Sequence, residues 1–177
     1  QFDLPFPPQA VATAKKFGPV VMDYVRERSL LEGDPVEFAR NRLIVIVPRT
    51  NPARIGRLQD LARRGTKLVI GAEAVPVGRY SREMLVKLSR TEGFEPDFAK
   101  RTLANVVSEE ENVKAVVGKV QLGEADAGIV YRSDVTPSLN HFVRPFEIPD
   151  SANVIATYPI AVTKGSRQPD SARDFVA

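Results

Sequence analysis

Residues 42–48, RLIVIVP, form an unbroken apolar run rich in β-branched side chains. A strand with one wet face alternates apolar and polar residues, whereas a strand without alternation is covered on both faces. A chain with such a strand is committed to a layered fold, with other elements packed above and below a sheet. The residues that follow provide those elements in regular order. KLVIG (67–71) reads as a strand and RYSREMLVKLSR (79–90) as a helix, with Tyr80, Met84, Leu85 and Leu88 on its apolar face. RTLANVV (101–107) reads as a strand, and EENVKAVVGKVQLG (110–123) as a helix with Val113, Val116, Val117 and Val120 in one stripe. ADAGIVY, HFVRPFEIP and NVIATYPIAVT are three further strands. Alternation of this kind predicts an α/β fold with a mainly parallel sheet flanked by helices.

The flanks are less regular. The first ten residues hold three prolines and no period, which suits an irregular arm. Val20, Val21, Tyr24, Val25 and Leu31 fall near helical spacing, and EGDP (32–35) is expected to end that helix. TNPARIGRLQDLARRG reads as a turn and a short helix, with Gly65 at its C-cap. A last helix opens at PDSARDFVA with Asp170 or Ser171 as its N-cap. An end at Ala177, inside that helix, is what a fragment would show.

Composition removes several functions. The absence of cysteine rules out thiol catalysis, disulfides and Cys-type zinc sites. The single histidine, His141, has no sequence neighbour to complete a metal or catalytic set and reads as a surface or strand residue. A net charge of +3, with cations scattered and no aromatic ladder, argues against nucleic-acid binding. No apolar run approaches the roughly 18 residues of a membrane span.

What remains is a turn. GAEAVPVGRY (71–80) joins a strand to a helix with small residues, a Pro and a Gly, and carries neither nucleophile nor metal ligand. In open α/β sheets ligands bind beyond the carboxyl ends of the strands. Residues 71–78, Glu109 to Val113 and Tyr131 all fall at such ends. Two of these are helix starts, whose unpaired N–H groups and positive dipole end accept an anion without a cationic side chain. A bare turn lets the anion reach the backbone; it also serves as a plain connector. Pro76 would stiffen it, and Gly78 would allow a close approach or a positive φ. SEEE (108–111) reads as a charge run at a helix start with Ser108 as cap, not as a metal site, because consecutive carboxylates diverge.

FARNRLIVIVP, VPVGRY, ENVKAVV, GEADAGIVY and YPIAV occur in that order and spacing. From Met22 to Val162, and more weakly to Phe175, the chain resembles the periplasmic molybdate-binding proteins of ABC importers. The resemblance implies a two-lobed type II periplasmic binding protein that binds molybdate or tungstate in its cleft. It has no cofactor, catalyses nothing and works as a monomer with a membrane permease and its ATPase. It further implies that residues 1–41 are a remnant of the first lobe, 42–156 the second lobe, and 157–177 the return to the first. The crossing segments would fall near Ala39 to Leu43 and Ala156 to Pro159. The family's backbone donors fall on Val77 and Val113, its tyrosine hydroxyl on Tyr131, and Thr13 stands in the place of a first-lobe serine. The location implied is extracytoplasmic, with a membrane tether outside these residues.

Arg79, Arg82, Lys114 and Arg132 flank this rim. Neighbours in a helix or strand face different directions, so Arg79, Lys114 and Arg132 are expected to point away from the anion. Two rival readings are an effector domain of a transcription regulator with the same fold, and a receptor for another tetrahedral oxyanion such as sulfate.

Overall fold

The computed structural model describes residues 19–176, with side chains from Met22 onward. Two compact units are present: Asn41–Ile155, and a second made of the described residues up to Arg40 with those from Ala156 on.

The second unit holds α1 (Pro19–Glu27), the first half of β1 (Leu31–Pro48), most of β6 (Ile155–Thr163) and α5 (Pro169–Val176). EGDP does not end a helix here. It lies inside β1, an 18-residue strand. The turn falls earlier, at Ser29, whose φ of 54° reverses the chain after α1. The strand was hidden because between Glu32 and Arg42 no residue is fully buried, so no apolar pattern was selected. Asp170 and Ser171 are not caps, since α5 already begins at Pro169, the position that proline favours.

In Asn41–Ile155 the strand order is β3-β2-β4-β1-β5; β6, most of which belongs to the other unit, pairs β1 off this path. The strands are β2 (Leu68–Gly71), β3 (Val106–Glu110), β4 (Ala127–Tyr131) and β5 (Val143–Glu147). β2 is parallel to β3 and β4, while β1 is antiparallel to β4 and β5. The sheet is therefore mixed: four strands of this path run one way and β1 runs against them.

Both faces are covered, as RLIVIVP required. On one face Leu43, Val45 and Val47 join Leu68, Ile70, Ala127 and Ile129 beneath α2 (Pro76–Leu88), which contributes Val77, Met84, Leu85 and Leu88. On the other, Ile44, Ile46, Val69 and Val130 meet Val116, Val117 and Val120 of α4 (Val113–Gln121). Alternate residues of one strand thus feed two cores. At Leu43, inside β1, the Asn153 side chain acts as a missing strand. Its Oδ1 accepts the Leu43 N–H (3.0 Å) and its Nδ2 donates to the Leu43 carbonyl (2.9 Å).

Four sequence expectations shift. The segment read as strand 101–107 begins inside a helix, α3 (Phe98–Leu103), with Phe98 and Thr102 buried at i, i+4 spacing. Ser108, Glu109 and Glu110 belong to β3, so Ser108 is not a cap; the cap is Asn112, whose Oδ1 accepts the Ala115 N–H at 3.0 Å. The short helix before Gly65 is only a 3-10 turn, Leu58–Ala62. His141 closes another 3-10 turn, Pro137–His141, outside any strand.

α2 starts three residues earlier than its apolar stripe suggested, because Pro76 occupies N1 and Val75 before it is extended (φ −106°, ψ 148°), as a residue preceding proline prefers. A methyl on Gly78 would lie 1.9 Å from the Ala72 carbonyl oxygen and 2.4 Å from that of Gly71. Gly78 therefore serves close approach and not a positive φ. Gly118, by contrast, sits in α4 with open space where its Cβ would be. Gly78→Ala should lose roughly 1–3 kcal/mol or more from overpacking. Gly118→Ala should gain about 0.5–1 kcal/mol from helix propensity. Urea unfolding midpoints of the two variants, moving in opposite directions, check both.

Candidate functional site

The carboxyl ends of β2, β3 and β4 form one rim. Gly71 pairs with Glu110 there, and Tyr131 stands opposite Leu43. Helices α2 and α4 both begin at this rim, on opposite faces of the sheet. Val77, the second residue of α2, is buried, and Val113 is the first residue of α4. Val77, Val113 and Tyr131 all pack on the same apolar cluster, and Val113 also touches the cluster of the other face. N–H groups of a first helical turn have no partner within their helix. The rim thus gathers two helix starts and the end of β4 that carries Tyr131, and helix starts are suited to an anion. Thr13 lies outside the described residues.

The turn is bare for a steric reason. Besides the contacts at Gly78, a Cβ on Gly71 would meet Val77 Cγ1 at 2.6 Å. Only two glycines let the first turn of α2 settle on the end of β2.

Most rim cations are engaged by carboxylates. Arg82 reaches back under its own helix, donating to the carbonyls of Gly71 (3.2 Å) and Gly78 (3.0 Å) and to Glu109 (2.5 Å). Arg42 bonds Glu147 (2.9 Å) and Asp150 (3.1 Å), and Arg132 stands 3.6 Å from Glu147. Lys119 bonds Glu110 (2.6 Å); with the Ser108 hydroxyl it holds that carboxyl below its ordinary range. Arg79 is exposed. The Lys114 charge acts on Asp134, in the turn that follows Tyr131.

Sequence reading missed that turn. Asp134 accepts the Tyr131 N–H at 3.2 Å, and Ser133 Oγ accepts from Asn41 at 2.7 Å. The signal was present, since an acid three residues after a strand end is a capping spacing. Burial raises the Asp134 carboxyl above its ordinary value, against the Tyr131 N–H and the Lys114 charge, which lower it.

Residues 18–177 match the family described as bacterial extracellular solute-binding protein. A molybdate-binding protein of Mycobacterium tuberculosis is 37% identical over 156 residues, covering 88% of this chain and 55% of that protein. The chain spans about half the length of the curated relatives it matches. Among solved structures, the substrate binding domain of a putative molybdenum ABC transporter from Clostridium difficile superposes with a TM-score of 0.71 at 27% identity, covering 90% of this chain and 66% of that one. The periplasmic molybdate-binding protein of Azotobacter vinelandii shares the fold, with a TM-score of 0.65 at 17% identity and coverage of 90% and 68%.

The environment of Asp134 has a pH signature. Burial penalises its ionised form in the folded state. Its contribution to stability is therefore fullest below its ordinary value of 3.8 and is lost as pH rises through the higher folded-state value. Asp134→Asn cannot ionise, yet its amide oxygen still accepts the Tyr131 N–H. Its stability relative to the parent should rise between about pH 3 and about pH 7, read from urea unfolding at both.

Proposed function

Because this chain belongs to the family of bacterial extracellular solute-binding proteins, we propose that it is the ligand-holding part of a receptor that captures molybdate or tungstate outside the cytoplasm. The receptor hands the oxyanion to a membrane permease driven by its ATPase, and it catalyses nothing. Asn41–Ile155 serves as the second lobe, with β1 and β6 as the two crossing segments. The receptor works as a monomer, and Thr13 contributes from the first lobe.

The observation that carries this reading is the meeting of Val77, Val113 and Tyr131 on one rim and one apolar cluster. Backbone N–H groups of Val77 and Val113 and the Tyr131 hydroxyl bind the tetrahedral anion. The engagement of Arg42, Arg82 and Arg132 by carboxylates supports binding through neutral donors. The identity with molybdate-binding relatives supports the choice of anion. A cavity fitted to molybdate or tungstate leaves the smaller sulfate imperfectly held, and hydrogen bonds that fail to close on a buried anion are costly.

Calorimetry on the full-length receptor tests the assignment. Molybdate and tungstate should bind far more tightly than sulfate or phosphate; equal affinity for sulfate would make it a general oxyanion receptor and overturn the assignment. Tyr131→Phe should cost roughly 1–3 kcal/mol of binding, the range for a hydrogen bond to a charged group. Lys114→Ala and Arg132→Ala should each cost well under about 1 kcal/mol, as screened surface charges do. A larger loss in the cationic variants would convert the site into an ion-pair pocket.

A separate variant addresses the α4 start. Asn112 is already extended (φ −155°, ψ 158°), the conformation required before proline. Val113→Pro should therefore keep the helix, with unchanged circular dichroism, while removing one backbone donor and weakening molybdate binding. Undiminished affinity would remove Val113 from the site.

A further inference from the structure

The opposite end of the sheet treats its cations differently. Residues 49–67 connect the end of β1 to the start of β2. They carry Arg49, Arg54, Arg57, Arg63, Arg64 and Lys67 against one carboxylate, Asp60, a net charge of +5 in 19 residues. The whole chain is only +3, so all other residues together sum to −2. Six β1 residues, Leu43–Pro48, separate this end from the Tyr131 rim, about 17 Å at 3.3–3.4 Å per residue.

The loop is built to hold its shape. The Asn51 side chain clasps Ile55, accepting its N–H (2.9 Å) and donating to its carbonyl (2.9 Å), and Ile55 is buried. Arg144 donates to the same carbonyl (3.0 Å), and Arg63 donates to the Ala53 carbonyl. Asp60 is turned inward onto the N–H groups of Gly56 (2.8 Å) and Arg57 (3.1 Å), so the one acid is occupied within the loop. Arg54 is held at φ 52°, in the left-handed region that a non-glycine residue seldom adopts. An open cleft lies between Ala53 and the Arg63–Thr66 segment, with Asp126 at its edge.

All six cations are exposed. Among the described residues, the side chains of Arg49, Arg54, Arg64 and Lys67 form no hydrogen bond or ion pair. At the Tyr131 rim, by contrast, Arg42, Arg82, Arg132 and Lys119 each have a carboxylate. Six like charges on a rigid loop repel one another unless a partner of opposite charge offsets them. A wide surface of this kind meets many phosphates at once better than it holds one small anion. Residues 49–67 contain no aromatic side chain on which bases stack, so single-stranded nucleic acid is a poor fit.

We propose that the 49–67 loop is a docking surface for an anionic phospholipid bilayer, distinct from the oxyanion rim and independent of which anion that rim binds. A bilayer presents a plane of phosphates, and each Lys or Arg near such a plane adds to attachment within a Debye length. The test is co-sedimentation of the full chain with vesicles of phosphatidylglycerol and phosphatidylcholine, against vesicles of phosphatidylcholine alone. Binding should require phosphatidylglycerol and fall steeply as salt rises from about 20 to about 150 mM. The triple variant R49Q/R54Q/R64Q removes charges that make no internal contact. It should retain its unfolding midpoint and lose at least about tenfold in vesicle partitioning, since three attachments are removed. R49K/R54K/R64K should restore it. Parent and R49Q/R54Q/R64Q partitioning alike, or no sedimentation of the parent at low salt, would overturn the proposal. So would retention of the parent on a soluble acidic polysaccharide without vesicle binding, which would identify a polyanion chain as the partner instead.

Discussion

The first turn of α2 lies against the end of β2 with no room for a side chain at position 78, where a methyl would come within 1.9 Å of the Ala72 carbonyl oxygen. Much of the rim follows from that approach. It seats Val77 in the core and starts α2 directly at the carboxyl end of β2. It also brings the Gly71 and Gly78 carbonyls within reach of Arg82, so a cation beside the α2 start is spent on the protein's own backbone and on Glu109. A larger residue at 78 would separate helix from strand and release all three arrangements together.

The two ends of the sheet are electrostatic opposites for a local reason. At the Tyr131 end the strands finish in acids: Glu110 on β3, Glu147 on β5, and Asp134 in the turn after β4. Glu147 pairs Arg42 and Arg132 and Glu110 pairs Lys119, so these cations are spent within the protein and the helix starts add positive ends beside them. A dipole end has short range, so it rewards an anion that fits closely and does little for one held a few ångströms away. At the other end the single acid of the 49–67 loop is consumed in shaping the loop, and its cations are left to act at longer range.

Much of the rim was legible in the sequence, because its parts are marked by local chemistry. The apolar run before Gly71, Pro76 at a helix start and the valine stripe of α4 each encode an element without help from the rest of the chain. The errors fell where local pattern is weak or shared. FAKRTL is too short to show a helical period, and its last three residues were read into the neighbouring strand. SEEE carries acids that suit a helix start and equally suit an exposed edge strand, which is what β3 is. Residues 32–42 lack any buried position to generate a pattern, and only pairing with another part of the chain makes them a strand.

The sequence by itself determined that a doubly covered strand exists, which faces of α2 and α4 are apolar, and that a bare turn and a tyrosine end neighbouring elements. These depend on residues close together in the chain, where period and cap chemistry act directly. Only the tertiary structure decided that β1 runs against its neighbours, so that Leu43 and not Pro48 lies beside Tyr131. It also decided that Asn153 completes the Leu43 backbone from 110 positions away, and that Asp134 is buried enough for its carboxyl to titrate high. Strand direction, distant side-chain partners and burial are set by which surfaces meet. That is a property of the whole packed sheet, which no window of sequence contains.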